Sequence, residues 1–252
     1  MMAFFQIIKS ELLKLINIMT LGLLVLFLLF TVIDYLIFMR DLEEYAIKYS
    51  EERFIVSINI GLSLLYLQIF LLYISSTILG KEKRLKTMNL LYGDYKSRMK
   101  INLSKVVTGV VICTLFSFIS VLSGWIAFHF NHILIDWKDV VYSFVIIDSI
   151  YILYSLVVLS LSFLLMSFNF GQIASFFVNF FLIIILGQLI TGSINAGELA
   201  NGGVVAQYFV FYQLYNGFSY LHYSLSEYIQ FLLMCLIILS YSLYRLEKID
   251  IQ

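Results

Sequence analysis

Residues 140–168 read VVYSFVIIDSIYILYSLVVLSLSFLLMSF, an apolar run interrupted by one charged side chain, Asp148. About 20 such residues carry an α-helix across a hydrocarbon layer of ~30 Å. This run is therefore a transmembrane helix, and the same pattern recurs on either side of it. Segments 15–39, 54–79, 106–128 and 228–244 are long enough to cross, and 173–190 lies at the lower limit. Composition agrees: the chain is 62% hydrophobic and 13% charged, with a mean hydropathy of +0.95. A soluble domain carries about 25% charged residues, and a chain this apolar lacks the polar exterior that water requires. The expected fold is all-α: a polytopic membrane protein forming a single transmembrane domain over residues 1–252.

The first apolar run exceeds the 7–15 residues of a signal-peptide core, and no small-residue cleavage site follows it, so it reads as a retained helix. Proline is absent, which leaves helix breaks to glycine, serine and packing. Cys113 and Cys235 each lie inside an apolar run and read as buried free thiols rather than a disulfide or metal pair.

Orientation follows from the basic residues flanking the spans. With the N-terminus inside, the inner segments hold 12 of the 16 Lys and Arg residues, while nine of the 16 acids fall outside. Both termini are then cytoplasmic, which demands an even number of crossings, and six are expected. The implied location is the cell (plasma) membrane. Residues 2–14 place Phe4, Ile8, Leu12 and Leu15 at helical spacing, with Gln6, Lys9, Ser10 and Lys14 largely elsewhere on the wheel. They suit an interfacial amphipathic helix, or simply a basic flank that fixes topology. Segment 191–226 opens with the glycine-rich TGSINAGELANGG and continues as a tyrosine-rich stretch. A seventh crossing would export the C-terminus, so an outer re-entrant or interfacial hairpin between helices five and six is expected.

Enzyme motifs do not hold up. Gly80-Lys81 lacks the upstream glycine and the following Ser/Thr of a phosphate loop. His129, His132 and Asp136 do not form a helical metal-binding pattern and read as an ordinary loop. Glu43 and Glu44 fall in a wet acidic loop, with Lys48 where a glutamate-protease motif wants arginine. No catalytic residue, metal or cofactor is assigned to this chain.

Ionisable groups within a membrane are costly and so are functional candidates. Asp34 lies near the outer end of the first span. Asp148, Ser155, Ser162 and Asn169 recur every seven residues and share one helix face. That stripe suits helix–helix contact, or the lining of a translocation path formed by Asp148, Ser155 and Ser162. Thr108, Ser117, Ser120 and Gly124 form a similar stripe on the third span.

The most informative segment is GKEKRLKTMNLLYGDYKSRMKINLSK, residues 80–105, with eight basic and two acidic residues and a net charge of +6. Topology control needs the lysines but not the apolar cluster among them. Leu85, Met88 and Leu91 fall at helical spacing before the Gly93-Asp94 break. They describe a short amphipathic helix able to enter a groove on another protein; a headgroup-binding basic loop is the plainer reading.

At this loop the sequence resembles the permease subunits of type 2 ABC transporters. Their loop typically carries a glutamate, Gly-Thr, a leucine pair, a proline, Ser-Arg, and a lysine opening helix three. Glu82, Thr87, Leu90-Leu91, Ser97-Arg98 and Lys105 stand in matching order here. Lys86 replaces the glycine, and no proline stands near Tyr95. The resemblance covers the whole chain in architecture and about 25 residues in motif. It implies a cytoplasmic coupling helix within residues 81–100, with Glu82, Lys83, Arg84, Leu85, Thr87, Met88, Leu91, Tyr92, Ser97 and Arg98 facing a separate ABC ATPase. ATP and Mg would be bound by that partner, and a second permease chain, identical or not, would complete the path. In length, lack of proline and Lys/Ile/Tyr-rich style the chain is similar to small Gram-positive permeases that export phenol-soluble modulins. The implied cargo is amphipathic peptide, with the lipid bilayer as surroundings and no nucleic acid. An expectation of a different class is a membrane-bound immunity or sensor protein that sequesters peptides without pumping.

Overall fold

The computed structural model describes residues 2–15, 22, 24–33, 62–84, 98–130, 136–195 and 209–248. Among these residues every regular element is helical. They are α1 (Met2–Leu15), α2 (Leu24–Ile33), α3 (Leu62–Arg84), α4 (Arg98–Phe130), α5 (Trp137–Ser167), α6 (Gln172–Asn195), α7 (Val210–Ser219) and α8 (Leu225–Lys248). Helix α6 is interrupted by a π-helical turn, Phe181–Ile185, in which the Leu186 N–H reaches back to the Phe181 carbonyl. Four helices, α4, α5, α6 and α8, are long and apolar enough to cross a membrane. The apolar parts of α2 and α3 are shorter, and the remainder of the two expected spans 15–39 and 54–79 lies largely outside the described residues.

Helix α5 is the axis of the bundle, packed against α3, α4, α6, α7 and α8. Tyr151, Tyr154, Val157, Val158, Leu159 and Phe163 on it are fully buried. Phe27 of α2 fills the outer groove of α3 and α4, edge-on to Phe116 at 5.1 Å and stacked on Tyr66 at 6.4 Å. By contrast, α8 turns Leu225, Leu233, Leu236 and Ile237 outward, each more than half exposed. Water would punish such a face; hydrocarbon does not. Between helices in lipid the hydrophobic drive largely vanishes, and close packing with polar contacts of about 0.6 kcal/mol each does the joining.

The helices alternate in direction, so that the end of α3, the start of α4, the end of α5, the start of α6 and the end of α8 meet at one pole, together with α1. At the other pole Trp125 of α4 stacks on Trp137 of α5 at 5.3 Å. Helix α5 stops where the sequence turns polar. Asn169 adopts a left-handed φ of 67°, and the Phe170 N–H returns to the Leu165 carbonyl at 3.1 Å. This is a Schellman closure with Asn in the usual place of Gly. Asn169 thus ends the helix instead of continuing the Asp148–Ser155–Ser162 face.

Two helices run past their expected limits. Helix α3 continues to Arg84 rather than stopping at residue 79, and α4 starts at Arg98 rather than residue 106. Lysine, arginine and methionine are good helix formers, so an apolar-length criterion ends a span before the backbone does. Within 191–226, α7 lies against the last part of α6 and its π turn. Gly187 permits the approach, since a Cβ there would lie 2.5 Å from that of Tyr215. Helix α8 then opens with a capping box unnoticed in the sequence reading: Glu227 Oε2 accepts from the Ser224 N–H at 2.7 Å, and the Glu227 N–H donates to Ser224 Oγ at 3.3 Å.

Candidate functional site at the charged pole

The charged loop leaves α3 after Arg84 and rejoins the fold at Arg98. Leu85, Thr87, Met88, Leu91, Tyr92 and Ser97 lie outside the described residues. Glu82, Lys83 and Arg84 belong to the last turn of α3, so residues 81–84 and 98–100 of the expected coupling segment are continuations of the flanking helices. The described residues form the platform on which the loop stands.

Its centre is Lys105. On α4 this residue shares a buried face with Ile101, Asn102 and Thr108, at helical spacing. Its side chain has no exposure, and Nζ donates to Glu11 Oε2 at 2.9 Å and to the Ile78 carbonyl at 3.1 Å. Glu11 belongs to α1 and Ile78 to α3, so one ammonium joins three helices at the root of the loop. The docked face of α1 is the pair Ile7 and Glu11, one turn apart and both buried. Of the expected apolar ridge, Ile8 and Leu12 are half-buried, and the side chains of Phe4 and Leu15 lie outside the described residues. An acid–base partnership thus sets which side of α1 meets α4 most closely.

A buried ion pair is weak evidence for stability, because desolvating two charges offsets their attraction. Removing one partner alone is nonetheless costly, about 3–5 kcal/mol. The pair therefore acts as a register device: α1 fits α4 in one position or pays heavily.

Around Lys105 the other helix ends are tied in turn. Arg98 Nη1 donates to the Glu247 carbonyl at 3.2 Å, satisfying one of the last carbonyls of α8, which have no partner within the helix. The Arg245 guanidinium sits 3.9 Å from the centre of the Phe168 ring, a cation–π contact joining α8 to the end of α5. Gln172 Nε2 donates to Thr77 Oγ1 at 3.0 Å, fixing the start of α6 on α3. At this crossing Gly80 is required by space, as a Cβ would stand 2.4 Å from that of Gln172 and 2.8 Å from its Cα.

The stripe on α5 is divided between neighbours. Asp148, half-buried, accepts a hydrogen bond from Ser117 of α4 at 2.7 Å. Ser155 is buried beside Cys113 of α4. Ser162, also buried, accepts from Asn179 Nδ2 of α6 at 2.9 Å. Asp148 and Ser155 thus face α4, whereas Ser162 faces α6, and all three make contacts between helices. Cys113 and Cys235 are free and buried. His129 stacks on Trp125 at 5.6 Å; Asp34, His132, Glu43 and Glu44 lie outside the described residues. Among the described residues no cluster suited to a metal ion occurs.

Glu11, Gln172 and Asn179 went unremarked in the sequence reading. A lone glutamate in a basic amphipathic segment carries no mark of a partner 94 residues away, and amides within apolar runs give no periodic signal of their own.

Four long apolar helices, with one of them buried at the centre, define a helical membrane protein. No family model, no curated protein and no solved structure matches the chain.

Proposed function

We propose that this chain is the transmembrane subunit of a type 2 ABC exporter, working with a separate ATPase and a second permease chain. In this reading it crosses the plasma membrane six times, α6 being the fifth crossing, α1 lies in the inner interface, and residues 191–226, which include α7, form the re-entrant hairpin at the outer face. The cargo is amphipathic peptide of the phenol-soluble modulin type. ATP and Mg are bound by the ATPase, whose closure pushes on the loop between Arg84 and Arg98.

The observation that carries the reading is the anchoring of that loop. A lever transmits force only if its root is stiff, and Lys105 joins α1, α3 and α4 at the root. Arg98 joins the same root to α8. A loop serving only to fix topology needs no such platform. The meeting of α1 and the end of α8 at the pole that carries the loop further supports an even number of crossings, with both chain ends on the motor's side.

The test is co-purification with candidate ABC ATPase subunits. Leu91→Asp, at the centre of the expected apolar ridge, should abolish association while leaving the helical content intact. Association at the wild-type level removes the coupling role. If peptide protection persists with a catalytically dead ATPase, the chain sequesters peptides without pumping them.

A further inference from the structure

Helix α6 carries three polar side chains on one face, Gln172, Ser175 and Asn179, spaced i, i+3 and i+7. The face lies against α3 and α5. Each amide nitrogen has a partner: Gln172 Nε2 donates to Thr77 and Asn179 Nδ2 to Ser162. The oxygens do not. Gln172 Oε1, Ser175 Oγ and Asn179 Oδ1 are buried with no hydrogen-bond partner, and Ser175 and Asn179 have no exposure at all.

An unpartnered buried polar atom costs about 1–3 kcal/mol, and bulk water cannot reach it inside a hydrocarbon layer. Ser175 and Asn179 are one turn apart, with about 5–6 Å between their β-carbons. A water making two hydrogen bonds of ~2.8 Å bridges that gap. Ser162 Oγ, which Asn179 Nδ2 contacts at 2.9 Å, can supply the third contact an internal water typically makes. The site ends at the π turn that starts at Phe181, the kind of widened turn that gathers at functional positions in helices.

We propose that Ser175 Oγ and Asn179 Oδ1 hold an internal water between α5 and α6. The site is an enclosed point of hydration within the bundle, and it stands whether or not the permease reading does. The oxygens are neutral, which suits water better than a bare cation.

The sign of one melting shift tests it. Ser175→Ala raises helix propensity, and in a dry seam it also removes an unsatisfied hydroxyl, so the melting temperature would hold or rise. With a bridging water it strands that water's partner, and the melting temperature should fall by about 2–4 °C. An unchanged or raised value overturns the proposal. On the unsubstituted protein in nanodiscs, selective ¹⁵N labelling of asparagine should give a cross-peak from the Asn179 side-chain amide to long-lived water, and its absence overturns the proposal independently. Melting in sodium chloride should equal that in choline chloride. A sodium-dependent rise would assign the oxygens to a cation instead.

Discussion

Replacing Glu11 by Gln tests whether the Lys105 ammonium is desolvated as the packing requires. The variant keeps the size and hydrogen-bonding capacity of the side chain but removes the charge that faces a fully buried Lys105. The ammonium keeps the Ile78 carbonyl but loses the Glu11 charge, and removing one partner of a buried pair costs about 3–5 kcal/mol. For a chain of this size each kcal/mol lowers the melting temperature by about 2–4 °C, so the expected fall is roughly 6–20 °C. Far-UV circular dichroism of the purified protein in nanodiscs reads it. Lys105→Met should cost a similar amount by removing the cation that faces Glu11. The double variant Glu11→Leu/Lys105→Met should return near the parent or above it, because an apolar pair of like volume avoids both desolvation penalties. Strong positive coupling in the cycle is the signature of a pair that acts as a unit. Single variants within about 1 kcal/mol of the parent, or losses that simply add, would refute the three-helix clamp.

Two further outcomes follow from packing and ionisation. Gly80→Ala should force α3 and α6 apart at Gln172 and lower stability by about 1–3 kcal/mol, measured as the same melting shift; an unchanged value means that the crossing is looser than described. Tyr223, outside the membrane-crossing helices, donates its hydroxyl to the Leu214 carbonyl at 2.8 Å. Burial, with smaller repulsion from Tyr154, Tyr228 and Glu227, pushes its phenol well above the ordinary value of 10.0. The stabilisation is complete below pH 10 and is lost above it, as the unfolded chain releases a proton that the folded one retains. Denaturant melts should therefore fall more steeply with pH above 10 in the parent than in Tyr223→Phe, and parallel curves would contradict the burial argument.

What the sequence revealed was what repeats. The run 140–168 became α5 within a few residues at each end, because a long apolar stretch bounded by Asp136 and Asn169 has no other helical frame. The loop's borders were less legible: hydropathy reports where lipid ends, whereas backbone hydrogen bonding carried α3 to Arg84 and α4 back to Arg98. Heptad spacing placed Asn169 on a polar stripe, yet Asn tolerates the left-handed conformation and closes the helix there. Lys105 stood out only as a loop charge and, by resemblance, as the lysine opening helix three; its burial depends on a partner that only the tertiary fold supplies. The capping box at Ser224 and Glu227 was readable and went unread.

The two tryptophans in the chain lie face to face at the pole remote from the loop. Tryptophan emission therefore comes from a single spot, roughly 40 Å along α4 from Arg98 at ~1.5 Å per residue. A ligand settling on the basic finger cannot quench these rings by touching them. Any change in their glow on partner addition would report motion conducted down α4 and α5, an optical gauge of transmission that needs no attached dye.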